Sequence, residues 1–202
     1  MSKQKVRVWT IPNILTFARM LAVPFVVYFL HIGKIQESYF GAALIIFILA
    51  ALTDQIDGYL SRKLNQQTTL GEILDPLADK IIVMAVLIEL TFLHIIPAWI
   101  VILILSRDIF INGLRAFAQK HGLSILPNQT GKIKVYFQGF ALGFLIICTH
   151  SQWSNLGGVF LGKFGMGIQT HTLGLVLLYI SLILSFKSAL DYSGQLYRHL
   201  RV

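Results

Sequence analysis

The chain has 202 residues, 55% of them hydrophobic and only 13% charged, with a mean hydropathy of +0.71. That balance excludes an ordinary soluble domain and a disordered chain, and the single cysteine, Cys148, excludes a disulfide framework or a cysteine-rich metal site. The net charge of +8 needs no nucleic acid to explain it, because anionic headgroups at an inner membrane leaflet attract the same basic side chains.

A helix needs about 20 apolar residues to cross about 30 Å of hydrocarbon. Six segments are candidates: Ile14–Leu30, Tyr39–Leu60, Ile73–Leu93, Ala98–Phe117, Val135–Thr149 and Thr172–Leu190. Lys3, Lys5 and Arg7 precede the first, but Pro12, Asn13, Thr16 and Arg19 interrupt it and no small-x-small cleavage site follows, so a retained span is expected rather than a signal peptide. Arg62 and Lys63 follow the second; Arg115, Lys120, Lys132 and Lys134 surround the fourth connection; Arg198 and Arg201 close the chain. Opposite them stand only Lys34 and Lys163, so the positive-inside rule puts both termini on the cytoplasmic side of the cell membrane. The expected fold is all-α: a polytopic six-transmembrane-helix bundle formed as one domain over residues 1–202.

Between the second and third spans the composition changes. Four of the six aspartates, Asp54, Asp57, Asp75 and Asp79, fall in this one stretch. A charge at bilayer depth costs roughly 2.5–3.5 kcal/mol on insertion scales, so such a cluster points to function and to an aqueous cavity. At about 100° per residue, Asp54, Asp57, Gly58, Ser61 and Arg62 share an arc of about 140° on one helix. Gly71, Asp75 and Asp79, spaced by four, form a second stripe, and the short connection from Lys63 to Leu70 folds the two helices antiparallel. Carboxylate pairs on facing helices suit two divalent cations about 3.5–4 Å apart, and all-oxygen ligands favour Mg²⁺ or Mn²⁺ over Zn²⁺. Gly58 and Gly71 leave room for a pyrophosphate beside the metals, and Arg62 adds a planar cationic fork.

These residues resemble the signature of the CDP-alcohol phosphotransferase family: Asp-x-x-Asp-Gly-x-x-Ala-Arg, eight residues, then Gly-x-x-x-Asp-x-x-x-Asp. Asp54, Asp57, Gly58, Arg62, Gly71, Asp75 and Asp79 meet it with the same gaps, and Ser61 stands where the family usually has Ala. The resemblance implies that an acceptor alcohol attacks the lipid-bearing phosphorus of a CDP-lipid and that CMP leaves. It implies that Asp54, Asp57, Asp75 and Asp79 ligate the metals, that Asp79 also takes the acceptor proton, and that Gly58, Arg62 and Thr68 contact the cytidine diphosphate. A homodimer is a further implication.

Other stretches narrow the resemblance. Pro12-Asn13-x-x-Thr16-x-x-Arg19, Ser106-Arg107-Asp108-x-x-x-x-Gly113-Leu114-Arg115 and Gly131-Lys132-x-Lys134-x-x-x-Gln138 are similar to the phosphatidylglycerophosphate synthase branch, where Glu is more common than Asp after the first arginine. That likeness adds Asn13, Thr16 and Arg19 to the CDP-lipid side. It also implies CDP-diacylglycerol and glycerol 3-phosphate as substrates. Independently of it, Arg107 at the edge of a span, Arg115 two turns on and Lys132 at the next helix start make a pocket for a phosphomonoester dianion. Inositol phosphate carries the same dianion, and the residues alone leave it open.

Several features carry simpler readings. Lys120, Lys134, Arg198 and Arg201 are explained as flanking positive charges. The glycine-rich stretch from Gly157 to Gly167 falls on the external side, away from any nucleotide, and the six histidines show no metal spacing. A cation transporter using the aspartates as an ion path is the reading from another class; it leaves Gly58, Arg62 and Gly71 without a role.

Overall fold

The computed structural model describes residues 10–63, 69–120, 129–149 and 169–200, without the side chains of residues 11–12, 54–63, 69–70, 72–73, 76, 119, 129–132, 197 and 199–200. The described residues form six helices and no strand: α1 (Ile11–Ile32), α2 (Ser38–Lys63), α3 (Thr69–Phe92), α4 (Ala98–Lys120), α5 (Gln129–Ile147) and α6 (Thr170–Leu200). Among the described residues two segments are long and apolar enough to cross a membrane, Asn13–Ile32 and Thr170–Leu196, while Ser38–Thr53 and Ile133–Ile147 are shorter apolar runs.

Each boundary has a local cause. Proline in the first turn of α1 costs no helical hydrogen bond there, because that N–H has no partner in a helix. After α1 the chain turns through Gly33, whose missing Cβ leaves the space that the Phe40 ring fills. The α3–α4 turn passes through His94 at φ 61°, and Pro97 sets the entry to α4. The ends at His31 and Glu89 meet through a 3.1 Å hydrogen bond, and His171 Nε2 lies 3.0 Å from the Ile95 carbonyl oxygen. At the other end Thr16 donates to Asp75 Oδ1 at 2.5 Å, tying the start of α1 to the start of α3. Six helices joined in this way alternate up and down.

The core fills the end away from Asp75. Val26 and Leu30 of α1, Phe47 of α2, Leu87 and Leu90 of α3, Ile100 of α4, Leu142 and Leu145 of α5 and Leu178 of α6 are buried in one cluster. The most extensive pairing is α5 with α6. Gly174, Ser181, Ser185 and Ala189 put a row of small buried residues along α6, and a Cβ on Gly174 would stand 2.7 Å from Leu145. Small residues are what allow two helices to approach so closely.

The helices run close to the sequence-derived spans except at the fifth, where α5 starts at Gln129 rather than Val135, and at the last one. The apolar run suggested an end at Leu190, whereas α6 continues to Leu200. Ala189, Tyr192 and Leu196 keep a buried stripe at spacings of three and four, and Ile111 and Leu114 of α4 pack against its first two members. Packing of an amphipathic face, not hydropathy, sustains these turns.

Candidate functional site

The acidic residues sit where α2 ends and α3 begins. Asp54 and Asp57 belong to the last three turns of α2, and Asp75 and Asp79 to the first three of α3. The side chains of Asp54, Asp57 and Arg62, the surroundings of Gly58 and all of Thr68 lie outside the described residues. Gly71 is buried, Asp75 is half-buried against Thr16, and Asp79 lines a cavity. Asn13, Thr16 and Arg19 are buried along α1, and Arg19 reaches the cavity wall.

That cavity has a volume of about 790 Å³ and takes residues from all six helices. Its walls are layered along the bundle. Near the acidic end they carry Asp79, Lys80, Arg107, Asp108, Asn112 and Arg115. Farther in, Leu44, Phe47 and Ile48 of α2 face Phe140, Phe144 and Ile147 of α5. Gly139 and Gly143 also line this apolar part, and a Cβ on either would meet nothing within 4 Å.

Asp108 organises the basic side. Its Oδ1 accepts hydrogen bonds from Arg107 Nη1 at 2.8 Å and from Lys134 Nζ at 2.5 Å, while Arg107 Nε donates to the Ser185 carbonyl at 2.8 Å. One carboxylate thus joins α4 to α5, and one guanidinium joins α4 to α6. Arg115, two turns beyond Arg107, is exposed and stands 6.0 Å from the Tyr192 ring centre.

The structure corrects the reading of Lys134 as a flanking charge: its side chain is buried, 6% exposed, and ion-paired inside the cavity. An ammonium in that setting needs the Asp108 partner, which lies 26 positions away in sequence. Arg107 and Arg115 line the cavity, and the Lys132 side chain lies outside those described. Lys80, Tyr192 and Gln195 also reach the wall without having been singled out in the sequence. Gln138, the last residue of the stretch that begins at Gly131, lines it too, one turn from Lys134 on the same face.

No three described His, Cys, Asp or Glu side chains form a metal-binding group. Asp75 and Asp79 are two oxygen donors one turn apart, and α2 packs against α3 with Asp54 and Asp57 near its matching end. Carboxylate donors from two adjacent helices fit hard divalent cations in their chemistry.

A helical bundle whose cavity joins carboxylates and fixed cations to an apolar wall is suited to an amphiphile with an anionic head. The chain belongs to the CDP-alcohol phosphatidyltransferase family, which it matches over residues 9–187. It is 38% identical over 150 residues to the CDP-diacylglycerol–glycerol-3-phosphate 3-phosphatidyltransferase of Bacillus subtilis (strain 168), covering 69% of this chain and 77% of that one. The enzyme of that name from Rickettsia bellii (strain RML369-C) is 33% identical over 182 residues, covering 90% and 92% of the two chains. A CMP-forming cardiolipin synthase from Streptomyces coelicolor is 33% identical over 161 residues, covering 76% and 73%.

Proposed function

We propose that the protein is an integral-membrane phosphatidyltransferase that makes phosphatidylglycerophosphate and CMP from CDP-diacylglycerol and glycerol 3-phosphate. The observation that carries this reading is the layered cavity, with Asp79 and four basic side chains at one level and an apolar wall at the next. The relatives from Bacillus and Rickettsia support it by name.

In this reading the acyl chains lie along the α2–α5 wall and the diphosphate lies among the acidic helix ends. Gly58, Arg62, Thr68 and Gly71, with Asn13, Thr16 and Arg19 of α1, hold the CDP-lipid. Arg107, Arg115 and Lys132 bind the acceptor phosphate, whose charge matches theirs. Asp79 takes the proton from the acceptor hydroxyl, the new bond forms to the phosphorus carrying the diacylglycerol, and the bond to CMP breaks. Asp54, Asp57, Asp75 and Asp79 would hold two Mg²⁺ or Mn²⁺ ions, which when bound offset charge on the diphosphate. Thr16 fixes Asp75 through its hydroxyl and so aligns α1 with the acidic stripe.

The whole chain, residues 1–202, acts as one domain that crosses the cell membrane six times with the site and both termini in the cytoplasm. Two copies pair as a homodimer among the membrane lipids. At about 1.5 Å per residue, the 31 residues of α6 span about 46 Å. The hydrocarbon is about 30 Å thick, which leaves turns of α6 for the cytoplasmic rim of the site.

The test is CMP release by purified protein from CDP-diacylglycerol with Mg²⁺ or Mn²⁺. Glycerol 3-phosphate, inositol phosphate, inositol, serine and phosphatidylglycerol are offered in turn. Release with glycerol 3-phosphate, and phosphatidylglycerophosphate by mass spectrometry, is expected. Release with another acceptor alone would keep the acidic site and overturn the basic pocket. Cation flux in proteoliposomes without CMP would favour a transporter.

A further inference from the structure

Along α5 the residues that reach the cavity change character within two turns. Lys134 belongs to the charged level through Asp108, whereas Phe140, Phe144 and Ile147 belong to the apolar wall. Gln138 stands between them. It is buried, 5% exposed, it lines the cavity, and its Nε2 has no acceptor among the described residues. A buried amide nitrogen without an acceptor is costly, and proteins rarely keep one without use for it.

Its position is fixed from outside. Lys134 is held by Asp108, and Arg107, bonded to that same carboxylate, is held by the Ser185 carbonyl, so α5 cannot slide freely against α4 and α6. One turn of helix carries Gln138 about 5.4 Å deeper than Lys134. At that depth α3 and α4 offer Ile82, Val83 and Leu105 to the cavity, none with a side-chain acceptor. A lipid whose diphosphate lies at the Asp79 level and whose chains follow the α2–α5 wall has only one polar element in between, the ester carbonyls of its glycerol backbone. An ester carbonyl accepts and does not donate, which is what a lone amide N–H requires.

We propose that Gln138 donates its side-chain N–H to an acyl ester carbonyl of the CDP-lipid and thereby selects ester-linked over ether-linked lipid. The inference rests on the phosphatidyltransferase reading above. Gln138 is a specificity-determining residue for the donor lipid and leaves the acceptor phosphate to the basic side chains.

The experiment compares CDP-diacylglycerol with its dialkyl ether analogue of equal chain length, each with glycerol 3-phosphate. The unmodified protein should favour the ester roughly five- to tenfold in kcat/KM, the size of one neutral hydrogen bond. Gln138→Met, of similar length without a donor, should bring the two lipids within about twofold, by raising the KM of the ester lipid while the glycerol 3-phosphate KM stays put. Gln138→Asn, which keeps a shortened amide, should fall between them and serves if the Met variant does not fold. Full retention of ester preference in the variants, equal loss on both lipids, or no preference in the unmodified protein would each overturn the proposal. Absence of CMP from both lipids in the unmodified protein would remove the phosphatidyltransferase reading and this inference with it.

Discussion

The two ends of the bundle hold similar polar residues and use them differently. At the end away from the acidic residues, His31 bonds Glu89 and stacks on Phe92, Lys34 lies 4.2 Å from the centre of that same ring, and His171 meets the Ile95 carbonyl. Charge there is spent on neighbouring side chains around a filled core. At the other end Asp79, Lys80 and Arg115 line open space, and Asp108 ties Arg107 and Lys134 to its wall. The glycines repeat the contrast: Gly33 and Gly174 are needed because Phe40 and Leu145 occupy the place of a Cβ, while Gly139 and Gly143 border room. Where side chains close on one another they stabilise; where they surround a void they border room for a ligand.

Substitutions can break or sharpen this contrast. The largest effect is expected from Asp79→Asn, which should lower CMP release at least about a thousandfold, with the thermal transition unchanged, if the open end is chemical. Asp108→Asn should cost about 3 kcal/mol of stability, because it leaves the buried Lys134 ammonium without its counter-charge. Pairing it with Lys134→Met should recover part of that loss in thermal or denaturant unfolding, which would mark the ion pair as structural support for the site. At the packed end, Gly174→Ala forces a methyl against Leu145 and should cost about 2 kcal/mol by the same measurement, with little change in KM. Arg115→Ala should raise the glycerol 3-phosphate KM about tenfold and the CDP-diacylglycerol KM far less; equal increases would deny it the acceptor phosphate. The smallest effect belongs to Gly143→Ala, where the new methyl meets nothing and helix propensity gains up to about 1 kcal/mol. A marked destabilisation there would mean that the wall is closed.

The helical placement of the aspartates was legible, because their spacing by three and four is itself a helical signature, and Asp79 does line the cavity. The basic half was less so. Lys134 reads as a membrane-flanking charge until Asp108, on another helix, is seen to face it. The Thr16–Asp75 bond joins residues 59 positions apart, and no local pattern announces it. The last turns of α6 were missed because hydropathy falls after Leu190 while the buried stripe of Ala189, Tyr192 and Leu196 goes on. Spacing along one helix was readable; the pairing of faces between helices was not.

The cavity takes wall residues from every one of the six helices, with Ser188, Tyr192 and Gln195 contributed by the last. During synthesis the acidic helices emerge early and the wall that completes the chamber emerges late. A nascent chain therefore lacks the α6 part of this wall until α6 docks on α5. Completion of the fold and onset of turnover should coincide in time, so that unfinished copies at the ribosome consume no lipid precursor.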